Sequence, residues 1–362
     1  AAIAALLFVC HPAHPEAVVW VAARADLLVG LFMALSLACW LRFLEVGRRR
    51  WLAGAAGTFV LALASKEMAT ALPGIALALA AAERAPGRWR RAFAGTAVLA
   101  AVLGAYVAFR LVVIGSLRSY HHPEGGLVGA ARNAFVFLRG AGLAAVWPGD
   151  RLAHPDPDLL RALFALALGA FALLAAARVR APGRLARAGA CLLAAVVSTA
   201  PVAVWSAVLP DGQGTRLIYP SLMLLAVAAG ALAPRVCPAV VLAVGALLAV
   251  SLPLQRRATE PWQRAAATMT AVVDGLVAAS EGKRALLLSN DVPRRDGPAY
   301  LAQNSLPAAL WLWRPGIKVE FAPPAEWQAL VEEHRATLEQ DPTVAALRFD
   351  AAQRRWVDAD GR

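Results

Sequence analysis

Long apolar stretches constrain this chain more than any other feature of its sequence. A helix needs roughly 20 mainly apolar residues to cross the hydrocarbon core of a bilayer. Ala, Leu and Val dominate the stretches, which favours helices over the strands of a barrel. The 362 residues are 59% hydrophobic, above the roughly half that soluble proteins contain. The sequence therefore predicts a polytopic membrane protein, and the longest stretches are residues 17–41, 92–114, 159–177, 185–209 and 217–232.

The positive charges are concentrated in alternate loops between these stretches. Thirteen arginines lie in loops 42–50, 83–91, 178–187 and 234–238, whereas the intervening loops carry five Lys or Arg residues. Such a bias places the arginine-rich loops in the cytoplasm. The formal net charge of +12 is explained by this bias, so nucleic acid is not an expected partner.

One apolar segment, residues 133–147, is short and interrupted by Arg139 and Gly140. If it spanned, the arginines of 178–187 would move to the outer face, so we predict a re-entrant or interfacial helix. The expected location is a bacterial inner membrane, with the chain from Gln255 onward on the outer, periplasmic side. The eight predicted spans are residues 17–41, 51–64, 68–82, 92–114, 159–177, 188–209, 217–233 and 238–254.

The C-terminal part of the chain has the pattern of a soluble domain. Residues 261–280 have helical periodicity, 284–289 and 317–321 are typical of buried strands, and 325–340 of a polar helix. Residues 344–358 are expected to form a strand pair. The predicted fold class is therefore mainly α, with a transmembrane helix bundle over 1–254 and a small α/β domain over 255–362.

Three polar clusters interrupt the apolar stretches, and the predicted topology puts all three on the outer side. Ionisable residues at membrane depth are costly and usually face a polar cavity. Lys and Arg are suited to holding a phosphate, and Glu and Asp to accepting a proton. The first cluster has His11, His14 and Glu16, followed by Arg24 and Asp26; the second has Ser65, Lys66 and Glu67; the third has Gln213, Arg216 and Tyr219.

Simpler interpretations stay open for each cluster. Glu16 begins a helix and can stabilise its dipole, while Lys66 and Glu67 can form a structural ion pair. Arg216 can extend its charge to the membrane interface. His11, His14 and Glu16 could also hold a metal, although we predict no metal site and no cofactor. Arg24 and Asp26 point to different sides of a helix, so each needs a partner elsewhere, such as Lys66 or Glu67.

Four segments resemble signatures of a known family. HPAHPEAVVWVAARADLL at 11–28, SKEMATALP at 65–73, YVAFRLVVIG at 106–115 and RLIYPS at 216–221 are similar to motifs of the transmembrane and tetratricopeptide-repeat O-mannosyltransferases and their bacterial relatives. These are membrane glycosyltransferases of the GT-C fold. Residues 286–310 look like the tail of bacterial members that lack the repeats. In that family an acidic residue tends to precede the arginine of the fourth segment, where this chain has Thr215 before Arg216.

The resemblance implies transfer of a sugar, such as mannose, from a polyprenyl-phosphate donor to a protein or glycan acceptor on the outer face. Glu16, Asp26 and Glu67 are then the expected catalytic carboxylates. The expected substrate-binding residues are His11, His14, Arg24, Lys66, Arg216 and Tyr219. The family usually places an acidic catalytic residue in its first outer loop. Because the sequence opens at Ala1 without that loop, we expect a fragment whose own base precedes it.

Two other function classes remain. A transporter or flippase for lipid-linked sugars would use similar intramembrane charges, and an inverted repeat of broken helices would mark it. A non-catalytic membrane scaffold would instead use the soluble tail to bind a periplasmic partner.

Overall fold

The computed structural model describes residues 2–83, 86–115, 126–151, 159–177, 182–232, 238–289, 291–292, 295–296, 299–301 and 316–358. Arginines 84, 118, 178, 180 and 235, which the sequence assigns to one side or the other of the membrane, lie outside the described residues, as does most of 293–315. The chain divides into two compact units, Ala1–Ala258 and Thr259–Arg362. The sequence-based boundary was placed between residues 254 and 255.

The first unit is built of helices. Short 3-10 turns at Val21–Ala23, Glu67–Ala71 and Thr215–Ile218 precede α3, α5 and α10 respectively. The α-helices are α1 Ala2–Val9, α2 Pro15–Val19, α3 Arg24–Val46, α4 Arg49–Ser65, α5 Leu72–Ala80, α6 Arg88–Ile114, α7 Gly126–Val146, α8 Leu159–Ala177, α9 Pro182–Ala203, α10 Tyr219–Leu232 and α11 Pro238–Ala279.

Within the described residues, five helical segments are long and apolar enough to cross a membrane: Val21–Val46, Arg88–Ile114, Gly183–Ala203, Thr215–Leu232 and Pro238–Ala279. Others of the eight predicted spans are shorter, such as Glu67–Ala80 and Leu159–Ala175. Many large apolar side chains are exposed; Val112 on α6, for example, is 85% exposed. Outward apolar surface of this kind is what a lipid-facing helix presents, since lipid tails take the place of water.

Several predicted helix boundaries were wrong. Helix α9 begins at Pro182 rather than 188 and ends at Ala203 rather than 209, because the helix takes in Arg184 and Arg187 and the chain turns at Trp205. Helix α7 begins at Gly126, seven residues before the predicted start at 133. The predicted membrane helix 238–254 and soluble helix 261–280 are one helix, α11, whose ladder continues through residues 255–260.

Contacts sort the loops of the first unit into two groups. Arg91 at the start of α6 donates to the Glu45 carbonyl (3.2 Å) beside the α3–α4 turn, so these arginine-rich turns meet. The turn at 10–14 instead contacts Ala145 of α7 and Gln255 of α11. We call the loops at this second end, residues 10–14, 65–67, 147–151 and 204–216, the polar end. The grouping follows the sequence-based assignment of loops to two sides.

Small residues allow the helices of the first unit to pack closely. A Cβ on Gly54 of α4 would lie 3.2 Å from the Cys39 sulfur on α3, so the two helices approach at a glycine. Ser36 reinforces this pair by donating to the Ala55 carbonyl (2.8 Å). Close packing at small residues is the usual way helices associate in a membrane. The antiparallel α3–α4 pair thereby brings the start of α3 beside Lys66.

The second unit contains a mixed sheet of order β4-β1-β5-β6, in which β1, β4 and β5 are parallel and β6 is antiparallel to β5. Leu286 and Leu288 pack with Val272 of α11 on one face, while Leu287 packs with Trp327 on the other. This alternation buries both faces of β1. The strands and helices of this unit, in chain order, are β1 Ala285–Ser289, β2 Arg295–Asp296, β3 Ala299–Tyr300, β4 Lys318–Ala322, α12 Trp327–Glu333, α13 Arg335–Gln340, β5 Val344–Asp350 and β6 Arg355–Asp358.

Candidate functional site

Two buried carboxylates and two partly exposed cations meet at the polar end. Glu16 and Asp26 are each 2% exposed as side chains, whereas Lys66 and Arg216 are 18% and 21% exposed. Lys66 Nζ pairs with Asp26, and Arg216 Nη1 pairs with Glu16. Arg216 Nε also lies 4.0 Å from Asp26 Oδ2, so the four charges form one network. We call Glu16, Asp26, Lys66 and Arg216 the charge cluster.

Local sequence explains why each member of the cluster sits here. Pro15 starts α2 at a position where its missing N–H costs nothing, and this fixes Glu16 in the first turn. Asp26 lies in the first turn of α3, where the helix dipole favours a negative charge. Lys66 is the extended residue between α4 and the next 3-10 turn. The turn leaves its side chain free to cross to Asp26.

The Glu16 side chain forms hydrogen bonds with a different helical segment from its own. Its Oε2 accepts hydrogen bonds from the Arg216 backbone N–H (3.0 Å) and from Thr215 Oγ1 (3.2 Å). The carboxylate therefore satisfies donors that are otherwise unpaired at the start of the segment leading into α10. Glu16 lies in the first turn of α2, but its observed hydrogen bonds are to the start of this other segment.

The aromatic ring of Trp20 also contacts the guanidinium group of Arg216. The guanidinium carbon lies 4.6 Å from the centroid of the Trp20 ring, within the range of a cation–π interaction. Sequence reasoning missed Trp20 and Thr215 as contributors. The signal for Trp20 was its place inside the first motif, between Glu16 and Arg24, although nothing in the sequence placed it beside residue 216.

The two histidines bind backbone groups rather than charges. His11 Nδ1 accepts from Ala13 N (3.2 Å) and its Nε2 lies 3.1 Å from the Ala145 carbonyl, while His14 Nε2 lies 2.5 Å from the Phe8 carbonyl. Burial lowers the pKa of His11 to about 3, reinforced by His14, and burial lowers the pKa of His14 to about 4. Both rings are therefore neutral near pH 7 and hold the 10–14 turn in place.

Arg24 and Glu67 do not join the cluster as expected. Arg24 is exposed and donates to the Val21 carbonyl (3.0 Å) of the preceding turn. Glu67 is exposed, and the structure gives it no ion pair among the described residues; the anticipated Lys66–Glu67 pair is replaced by Lys66–Asp26. The reason is geometric, because the extended backbone at Lys66 directs adjacent side chains apart. Among the described residues, no group of three His, Cys, Asp or Glu side chains is placed to hold a metal.

A cavity of about 310 Å³ in the first unit lies beside the 10–14 turn. Its walls are almost entirely apolar and come from α1 and α7 to α11, with His11 at the edge. The His11 and His14 ring centroids are 5.8 Å apart, and those of His14 and Tyr219 are 5.0 Å apart. The three rings therefore form a row of contacts from the cavity wall to the start of α10, which follows the turn that carries Arg216. The lining includes Leu7, Phe164, Phe171, Leu225 and Leu247.

Tyr219 is fixed by close packing on α3. A Cβ on Gly30 would lie 2.8 Å from the tyrosine ring, so only glycine leaves room for the ring at this point. Phe8 contacts the other side, with the ring centroids 4.9 Å apart. The conformation of Tyr219 is thus determined by α1 and α3 together.

No family model, curated protein or solved structure matches this chain.

Proposed function

We propose that this chain is a multi-pass membrane glycosyltransferase that moves a sugar from a polyprenyl-phosphate donor to a protein or glycan acceptor. The observation that carries the proposal is the charge cluster, in which two cations at helix ends reach the surface of an otherwise apolar bundle. Ionisable groups in such a position are usually functional. The five apolar helices of membrane length and the resemblance of the motifs support the same function.

The cations are the groups proposed to hold the donor. Arg216 offers a planar fork that fits two phosphate oxygens, and Lys66 supplies a point charge. Both are partly exposed, whereas the carboxylates behind them are buried. A phosphate approaching from the polar end therefore meets positive charge first. The apolar cavity beside His11 supplies a surface of matching chemistry for the isoprenoid chain.

The proposed reaction inverts the sugar. The acceptor hydroxyl attacks the anomeric carbon, the bond from that carbon to the phosphate oxygen breaks, and its electron pair remains on the phosphate. Arg216 and Lys66 stabilise the charge that develops there. Glu16 and Asp26 are held by these cations and orient them. Of Glu16, Asp26 and Glu67, only Glu67 has no ion pair within the described residues, and we assign to it the hydroxyl proton.

A non-catalytic scaffold is a second candidate, and one observation favours it. Each cation of the charge cluster already has a carboxylate partner, so the cluster is also a complete structural network. The two functions differ in what happens when a lipid phosphate is offered. A scaffold has no reason to bind it at Arg216.

Donor binding tests the proposal. The full chain in nanodiscs would be titrated with polyprenyl-phosphomannose, comparing wild type with Arg216→Lys and Lys66→Met. Both variants should weaken binding, since Arg216→Lys loses the bidentate fork of the guanidinium and Lys66→Met removes a charge-assisted contact. The matched control is Arg42→Met, which removes an exposed arginine paired with Glu45 at the other end of α3 and should leave binding unchanged. Equal affinity in all four proteins would remove the phosphate role and favour the scaffold.

A further inference from the structure

A separate cavity of about 420 Å³ lies in the second unit. The residues that line it come from the ends of the parallel strands, from the loops that follow them and from the first turn of α12. Small-molecule sites are usually about 300–1,000 Å³ in volume, so this cavity is of a suitable size. The lining residues are Asp291 after β1, Pro324, Trp327 and Gln328 after β4, and Arg348 to Ala351 at the end of β5.

The strand register explains why the sheet is open at this edge. Strand β5 pairs with β1 from Val344 to Leu347 and then continues for three residues that pair only with β6. The chain runs from β1 to β4 on one side and then crosses back to β5 on the other. A crevice at the carboxyl ends of parallel strands, where the strand order reverses, is where open α/β sheets bind ligands.

The polar groups around the crevice are of mixed character. Arg348 Nε lies 3.3 Å from Asp291 Oδ2, so this cation is already neutralised. Asp350 Oδ1 accepts from the backbone N–H groups of Ala352 (2.8 Å) and Gln353 (3.0 Å), which holds the turn and fixes the carboxylate. Gln328 adds an exposed amide that both donates and accepts.

This chemistry selects one class of ligand. Two carboxylates against one arginine give the crevice a net negative charge, which disfavours a phosphate. Paired carboxylate, guanidinium and amide groups can all be satisfied by hydroxyl groups, because a hydroxyl both donates and accepts. Trp327 contributes buried apolar surface to the lining, and Pro324 adds further apolar surface. A neutral sugar carries hydroxyl groups around a ring with apolar faces.

We propose that this crevice is a binding site for a neutral carbohydrate, held by Asp291, Gln328, Arg348 and Asp350. The site belongs to the second unit and is distinct from the charge cluster. It stands whether or not the chain transfers a sugar.

The test is calorimetric titration of the full chain in nanodiscs with maltose, cellobiose and mannobiose, and separately with inorganic phosphate. At least one neutral disaccharide should bind, and phosphate should not. Gln328→Ala should weaken that binding about fivefold, and Arg348→Met at least tenfold, the expected losses of a neutral and of a charge-assisted hydrogen bond. Arg335→Met is the matched control, since Arg335 is an equally exposed arginine of α13 that does not line the cavity.

Three results would overturn the proposal: no binding by any of the sugars, binding of phosphate in their place, or sugar binding that Gln328→Ala leaves unchanged. Gln328 is exposed, so its substitution keeps the test valid even if Arg348→Met lowers the melting temperature. Loss of polyprenyl-phosphomannose binding in the Arg216 variants bears on the transferase proposal and not on this one.

Discussion

Replacing Arg216 with methionine should destabilise the first unit, because the substitution leaves the Glu16 carboxylate buried without its cation. Glu16 is 2% exposed, and removing one partner of a buried ion pair costs about 3–5 kcal/mol. The lower end applies here, since Glu16 keeps the hydrogen bonds from Thr215 Oγ1 and the backbone N–H of residue 216. We therefore expect a loss of about 3 kcal/mol in the free energy of unfolding.

A second substitution should recover much of that loss. Glu16→Gln alone is expected to cost about 1–2 kcal/mol, because it removes a charged acceptor while Arg216 remains partly exposed and lies over Trp20. In the double variant no buried charge is left without a partner, because Asp26 keeps Lys66, and the amide oxygen at residue 16 can still accept the backbone N–H. The coupling energy should be about 2 kcal/mol, within the range for groups in direct contact.

The assay is equilibrium unfolding of the purified chain in mixed micelles, followed by circular dichroism over an SDS titration. Arg42→Met is the control; it breaks an exposed pair with Glu45 and should change stability by less than about 1 kcal/mol. Effects of Glu16→Gln and Arg216→Met that add to within about 0.5 kcal/mol would refute the buried pair and the argument built on it.

Three further predictions address packing, pH and topology. Gly140→Ala should destabilise the first unit, because its Cβ would lie 2.3 Å from the Val208 carbonyl oxygen, whereas Gly142→Ala, with open space around it, should be neutral or slightly stabilising in thermal melts. The folded pKa of His14, about 4, lies below its unfolded value of 6.5. The stability that the neutral ring contributes is therefore complete above pH 6.5 and is lost as the pH falls towards 4. His14→Gln should flatten the pH dependence of the unfolding free energy over that range by about 1.4 kcal/mol per pH unit. A topology reporter fused after Gly47 should be active only in the cytoplasm and one fused after Arg257 only in the periplasm; activity of both in one compartment would contradict the proposed orientation.

Helix identity was predictable where apolar length alone decides it. Residues 92–114 were predicted as a span, and the membrane-length helix Arg88–Ile114 contains them. The strands of the four-stranded sheet were also predictable, since an apolar run such as Leu286–Leu288 is typical of a strand buried on both faces. Boundaries were less predictable, because arginines near a helix start do not end the helix, as Arg184 and Arg187 show in α9.

The partners within the charge cluster were only partly predictable. The sequence indicated that Asp26 needs a distant partner and named Lys66 as one possibility, which the structure shows. It gave no means of pairing Glu16 with Arg216, because the 200-residue separation is bridged only when α2 meets the start of α10. The same limit applies to Trp20 and to both cavities, which arise from packing between helices or strand ends rather than from any local pattern.

Sugar transfer in the membrane tests the central claim most directly. The measurement is release of polyprenyl phosphate from polyprenyl-phosphomannose by the chain in proteoliposomes, normalised to folded protein. If Arg216 stabilises the leaving phosphate, Arg216→Ala should raise the barrier by about 2.7–4 kcal/mol and slow release about a hundredfold to a thousandfold, with Arg216→Lys recovering part of the rate. Release by Arg216→Ala at the wild-type rate would contradict the account.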